Sequence, residues 1–292
     1  MKTTISAILI AVLSTGCQFS KSVKKDLISG LTTTGDILTC NDIYLTINNE
    51  RSTENSFNYG EMVYLVFNDI KGFTKEGRKV FPLMQIVVTG NSGDTVLFAD
   101  NLYSEYTEGM DYSPLQLTAD VTIATPIKSG GEYTLSVKIS DMKGKGTFSS
   151  KLRFTVRSND RIKAEPVNVT YEEIYLYSQG NDKVITDGII NFDDIIYIII
   201  EGLKGFKEEN GLVYPGLSLS AIDSEANPLL KDDDLFGEYT DTGVAVSDFS
   251  SRVSAHFKIL GSEFSNPLHV EMLVWDKKSD AKIKVTAEFE LE

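Results

Sequence analysis

Asn58 to Phe73 reads N-Y-G-E-M-V-Y-L-V-F-N-D-I-K-G-F, and at an offset of 133 Asn191 to Phe206 reads N-F-D-D-I-I-Y-I-I-I-E-G-L-K-G-F. The register holds without a gap through Val80-Phe81-Pro82 and Val213-Tyr214-Pro215. Identical residues stand at Asn58/Asn191, Tyr64/Tyr197, Lys71/Lys204, Gly72/Gly205, Phe73/Phe206, Val80/Val213 and Pro82/Pro215. Most other pairs exchange apolar for apolar or acid for acid, so the pattern reads as a tandem duplication. Upstream, I-L-T-C-N-D-I-Y-L (Ile37–Leu45) matches N-V-T-Y-E-E-I-Y-L (Asn168–Leu176), which sets Cys40 opposite Tyr171. A place that accepts Cys or Tyr is a packing position, and no His or Asn motif accompanies Cys40 to make it a nucleophile.

Around these segments the hydrophobic period is two. In the first repeat Ile43–Ile47, Met62–Phe67, Leu83–Thr89, Thr95–Ala99, Leu117–Ala124, Tyr133–Ser140 and Lys151–Arg157 read as short strands. The second repeat offers Ile174–Tyr177, Ile195–Ile200, Leu217–Ala221, Arg252–Ile259, His269–Trp275 and Lys282–Leu291. Gly- and Asn-rich turns separate them, and the expectation is all-β: two tandem antiparallel β-sandwiches, broadly Ig-like. Gly131-Glu132-Tyr133, opening a strand, resembles the tyrosine corner of Ig and fibronectin type III domains, although the second repeat has Leu268 there. Ile195–Ile200 has no polar alternation apart from Tyr197, which predicts a central strand covered on both faces.

The chain has 292 residues, 41% hydrophobic, with a formal charge of -14. Two units of about 120 residues each bury enough surface to fold without disulfides. The acidic balance excludes a nucleic-acid role, which needs clustered Lys and Arg. Residues 36–157 carry 15 acids and 12 bases, whereas 166–292 carry 24 acids and 10 bases. Packing does not demand that divergence; a bound cation, a basic partner or a solvated distal face would each account for it.

Lys2, the apolar run Ile5–Leu13 and Thr15-Gly16-Cys17 have the order of an export signal. L-S-T-G-C, with Leu13 four residues before Cys17, resembles the relaxed lipobox of Bacteroidota lipoproteins. The resemblance implies cleavage before Cys17, lipidation of Cys17 and an outer-membrane address. The segment after Cys17 has no acid before Asp26, unlike the surface-export signals of such lipoproteins, which favours the periplasmic face. The alternative is an ordinary secreted protein with Cys17 paired to Cys40. The expected division is a signal peptide over 1–16, a tether over 17–35, repeats over 36–158 and 166–292, and a joint over 159–165.

Two groups of side chains are candidates for binding. D-N-L-Y-S-E-Y-T (Asp100–Thr107) returns as D-D-L-F-G-E-Y-T (Asp233–Thr240), so Asp100, Glu105, Tyr106, Asp233, Glu238 and Tyr239 recur as a possible ligand set. The plainer account is a sheet-to-sheet crossover whose Asp caps a turn. Asp223, Glu225, Asp232, Asp233 and Asp234 bring the clustered oxygens that calcium takes, without an EF-hand frame. Asp141 and Asp276 match at strand ends, where hairpin capping is the simplest role. His256, aligned with Ala124, and His269 lie in alternating strands with no nucleophile motif, so no enzyme is expected. No cofactor other than calcium is implied. The expectation is a non-catalytic cell-envelope lipoprotein that binds or scaffolds another protein. The alternative is a glycan-binding or adhesive lipoprotein, as the non-catalytic lipoproteins of polysaccharide-uptake systems are.

Overall fold

Alternating side chains build two sandwiches in succession in a computed structural model that describes residues 21–26, 29–112, 114–260 and 264–292. The principal strands of the first unit are β1 (Lys21–Lys25), β2 (Thr32–Asp36), β3 (Thr39–Ile47), β4 (Met62–Lys71) and β5 (Pro82–Gly90). They continue as β6 (Thr95–Ala99), β7 (Leu117–Thr122), β8 (Glu132–Asp141) and β9 (Thr147–Arg157). Those of the second unit are β10 (Ile162–Val167), β11 (Glu173–Ser178), β12 (Ile196–Glu201) and β13 (Pro215–Ile222). The last four are β14 (Pro228–Asp232), β15 (Arg252–Phe257), β16 (Leu268–Asp276) and β17 (Lys282–Leu291).

In the first unit the large sheet runs β1-β2-β9-β8-β5-β6 and the small sheet runs β7-β4-β3 with Glu50–Ser52 outside β3. The second unit has β10-β17-β16-β13-β14 facing β15-β12-β11, with Lys183–Val184 outside β11. The orders correspond strand for strand, β1 alone having no counterpart. Short parallel segments also correspond: Ser56–Asn58 pairs with β9 and Ile189–Ile190 with β17. In immunoglobulin letters this is A-B-E packed on G-F-C-C′, a sandwich of the Ig-like kind. The period-two pattern fills each interior. Leu65, Phe67, Ile86, Leu117 and Ile139 are buried in the first core, and Ile198, Ile200, Leu217, Met272 and Phe289 in the second.

The tyrosine corner forms. Tyr133, at the start of β8, accepts the N–H of Lys128 at 2.8 Å and donates back to its carbonyl at 3.3 Å. In the second unit, where Leu268 is buried, Asn266 does the tying through Leu291: its amide N–H donates to the Leu291 carbonyl and its oxygen accepts the Leu291 N–H.

Three expectations need correction. The tether over 17–35 is, in its described part, a hairpin: β1 pairs with β2, and β2 joins β9. Thr33 and Leu31 are buried there, so this segment belongs to the first sandwich. The joint over 159–165 is shorter, because β10 already pairs with β17 from Ile162 and Asn159 is buried with its amide on the Ile185 carbonyl. Two strands of the second unit, β10 and β14, lie outside the expected set of six; the Pro228 of β14 and a register shift beside Ile222 mark it as an irregular edge. β12 is central as expected, with Ile196, Ile198 and Ile200 in the core, but its opposite face is covered only in part.

The repeated K-G-F is a crossing of two backbones. Gly72 and Gly205 have φ of +101° and +113°. A Cβ on Gly72 would lie 2.5 Å from the Ile37 carbonyl oxygen, and the Asn168 carbonyl blocks Gly205 in the same way. The residues crossed are themselves left-handed, Ile37 at φ 68° and Asn168 at φ 56°. Asp141 and Asp276 complete the clamp: each carboxylate accepts the N–H just after the Phe, of Thr74 or Lys207, at 2.7 Å.

Isoleucine is a poor residue for that conformation, and asparagine, which the second unit uses, is a good one. Ile37→Asn is therefore expected to raise the stability of the chain by about 1 kcal/mol. Gly72→Val is expected to lower it by about 1–3 kcal/mol. Urea denaturation midpoints check both; a destabilised Ile37→Asn would show that the crossing needs the isoleucine side chain.

Candidate binding face

The outer face of the small sheet in the second unit is divided between a seam and an open row. Residues at alternate positions of β11 and β12 point away from the core: Glu173, Tyr175 and Tyr177 on one strand, Tyr197, Ile199 and Glu201 on the next. At one end this face meets the first unit. Glu173, 2% exposed, accepts the Ser129 N–H at 2.6 Å and the Ser129 hydroxyl at 2.9 Å. Beside it Lys128 pairs with Glu172 at 2.5 Å. The Tyr175 ring packs on Tyr59 with centroids 5.4 Å apart, an arrangement worth about 0.5–1.5 kcal/mol beyond area burial. Tyr175 donates to Glu201 at 2.7 Å, and Tyr59 is held by Thr125. Val184 rests on Gly60, where no side chain has room. The loop that Glu173 grips is the one tied by the tyrosine corner.

Burial pushes the Glu173 carboxyl above its ordinary range; its bonds to Ser129 pull it back in part, nearby Glu201 pushes it up, and Lys128 pulls it down. Burial and its bond to Glu201 push the Tyr175 hydroxyl well above the ordinary phenol range.

Further along, the face is open. Tyr177 stands opposite Tyr197 and Tyr197 opposite His256, so three rings form one cross-strand row over β11, β12 and β15. Ring centroids are 6.4 Å and 5.3 Å apart, with interplanar angles of 61° and 36°. The tyrosines are half-buried and His256 is exposed. Strand register places His256 at the position of Asp120, which pairs with Tyr64, and not at Ala124 as sequence alignment suggested. The equivalent row of the first unit is therefore Thr46, Tyr64 and Asp120.

In the repeated acidic segments the candidate side chains stand at the surface. Asp100 accepts only a 3.3 Å bond from Gln85, Asp233 pairs with Lys231 at the surface, and Glu105, Tyr106 and Glu238 are exposed. Tyr239 is half-buried against Phe236. The capping oxygen belongs to the following residue: Asn101 accepts the N–H groups of Met84 and Tyr103, and Asp234 those of Leu217 and Phe236. Burial raises the Asp234 carboxyl, but Lys277, 2.8 Å away, and the two N–H groups bring it below its ordinary range. These segments are crossovers.

The calcium expectation finds no gathered ligands either. Asp223 is spent on its own loop, accepting the N–H groups of Glu225, Asn227 and Ser265 and the Asn227 amide. Its bond from Asn227 holds the carboxyl below its ordinary range against the opposing effect of burial. Among the described residues no three His, Cys, Asp or Glu side chains converge as a metal ion requires. Cys40 is half-buried and burial pushes its thiol up to about 11, away from a thiolate. Cys17 lies outside the described residues. A cavity of about 590 Å³ on the outer face of the large sheet is lined by Arg161, Lys163, His269, Glu271 and Glu288. Both signs of charge mix there and His269 already faces Glu288 at 3.6 Å.

A carboxyl raised on folding contributes stability that is full below its unfolded-state value and is lost as pH rises through the folded value. Glu173 is such a group. Glu173→Gln keeps an acceptor for the Ser129 N–H and sheds the charge. Its stability relative to the native chain is expected to improve progressively from pH 4 to pH 7 in urea denaturation. A difference that stays constant over that range would remove the charged, buried Glu173 from the account of the seam.

No family model matches the chain, and no curated protein matches it. The solved structure of pT26-6p is similar at 9% sequence identity with a TM-score of 0.26, covering 89% of this chain and 63% of that chain. The chain spans less than two thirds of that protein, and a likeness so distant carries no argument about fold or function.

Proposed function

We propose that this chain is a non-catalytic binding module of the bacterial cell envelope, anchored by lipid on Cys17, that holds its partner on the open face of the second unit. The observation that carries this reading is the Tyr177-Tyr197-His256 row, presented on a sheet whose other end is locked to the first unit. Aromatic side chains on a rigid scaffold are the usual anchors of recognition, since they bring contact area at little entropic cost. The residues available for covalent chemistry do not favour catalysis: burial suppresses the Cys40 thiolate, and the His256 ring lies tilted against Tyr197.

The lipobox-like Leu13–Cys17 supports the anchor and an outer-membrane address, and the lack of an acid between Cys17 and Asp26 supports the periplasmic face. No described helix is long and apolar enough to cross a membrane. With β1 opening at Lys21, the first unit follows Cys17 almost at once and lies next to the membrane, and the second unit lies further out. Lys24 and Lys25, both exposed, then lie within reach of anionic headgroups. The protein-binding and glycan-binding forms of this reading share the open face and differ only in its occupant.

Cys17→Ala is expected to abolish incorporation of labelled palmitate and to let dilution without detergent release the protein from the membrane pellet; a variant that still takes up palmitate, or that needs detergent for release, would overturn the anchor. The released Cys17→Ala protein, added back to isolated envelopes, is expected to sediment with them. Tyr197→Ala with His256→Ala should abolish that sedimentation, and an undiminished signal would remove the face from the function.

A further inference from the structure

We infer that the Tyr177-Tyr197-His256 row is a subsite for a neutral oligosaccharide, bound as a single chain across β11, β12 and β15. This rests on the binding-module reading and names its ligand. The two faces of a pyranose ring differ from its rim: axial C–H bonds make a face apolar, while hydroxyls radiate outward. An aromatic ring covers such a face, and polar groups beside it take the hydroxyls.

The row has that composition. Neighbouring strands lie about 4.8 Å apart, so three rings in register extend over about 10 Å, enough for about two linked sugars. Around the rings stand donors and acceptors: Asp182 accepts the Tyr177 hydroxyl, Gln179 accepts that of Tyr197 at 3.4 Å, and Asn181 lies beside Ser178 and Asp194. The rings are tilted against one another, by 61° and then 36°, more than the roughly 20–25° twist between strands, and so form no flat platform. Such a row fits a twisted single chain and not the flat surface of a crystalline polymer.

Charge narrows the ligand. Asp182 and Asp194 lie beside the row, Asp193 is paired with Lys258 at 3.0 Å, and the unit as a whole has 24 acids and 10 bases, a balance that repels uronate and sulfate glycans. A folded protein partner needs about 800 Å² on each side. This row is one residue wide, and the next row inward, Tyr175 and Ile199, is committed to the seam or buried. The first unit supplies a comparison within the same chain: it keeps the central Tyr64 but flanks it with Thr46 and Asp120. The shared tyrosine belongs to both sheets, whereas the two flanking rings are particular to the second.

Affinity electrophoresis of the full chain through gels holding soluble mannan, glycogen, mixed-linkage β-glucan or xylan tests the inference, with polygalacturonate as the anionic comparison. At least one neutral gel is expected to retard the protein. Tyr197→Ala and, separately, His256→Asp should weaken that retardation at least tenfold, while Tyr64→Ala should leave it unchanged. His256 is exposed, so His256→Asp reads the site even if Tyr197→Ala melts early. Mobility unaltered by every neutral glycan, retardation by polygalacturonate alone, or retardation that survives both row variants would overturn it. Sedimentation with envelopes that depends on the row, without retardation by any neutral glycan, would replace the glycan with a protein occupant and leave the binding-module reading standing.

Discussion

The buried carboxylate of Glu173 decides which surface of this molecule is available. A carboxylate that is 2% exposed is costly unless its oxygens are bonded, and both of them find Ser129 across the seam. Ser129 is in place because the tyrosine corner ties Lys128 to Tyr133 one residue earlier. A local feature of one sandwich thus becomes the receptor for the next. With Glu173 and Tyr175 engaged, the face of β11 and β12 is half consumed. What remains uncovered begins at Tyr177, beside the Val184 that rests on Gly60. The open row is the remainder left by the docking.

The features the two units hold in common are those a sandwich needs. Gly72 and Gly205 let one backbone pass another, Asp141 and Asp276 clamp that passage, and Asn101 and Asp234 cap the crossover after the edge strand. Each replaces a bond that a buried or turning backbone would otherwise lack. The features that differ are at the surface: Thr46 against Tyr177, Asp120 against His256, and the acid content. In the repeated acidic segments, which look most like a motif, Asn101 and Asp234 spend their oxygens on backbone N–H groups.

The strands were legible because alternation survives wherever one face is buried and the other wet, as in β8 with Leu135, Val137 and Ile139 inside and Lys138 outside. The K-G-F turns were legible because only glycine tolerates their φ. Where the pattern was overridden, tertiary pairing was the cause. Lys21–Lys25 has the composition of a tether, yet it pairs with β2, whose own edge would otherwise stand open. The capping role of Asn101 was hidden because Asp100, the identical residue, drew attention from the side chain that bonds. The binding row was the least legible. Tyr177, Tyr197 and His256 are far apart in sequence, and the alignment placed His256 against Ala124. Only strand register, which assigns it to Asp120, brings the rings together.

The acidity of the second unit and its aromatic row are compatible with one proposed ligand. Neutral rings gain from a ligand through contact and displaced water, with little help from long-range attraction. Acids placed around them do not strengthen that contact, but they act at a distance on what approaches. Under the proposed reading anionic polymers would be turned away before they reach the rings, and neutral chains would not. The first unit, with nearly balanced charge and Thr46 and Asp120 in place of the flanking rings, has neither the contact nor the filter. The proposed reading divides the roles: one sandwich holds its neighbour at a fixed seam, and the neighbour, further from the membrane under the proposed anchoring, would select by charge and bind by contact.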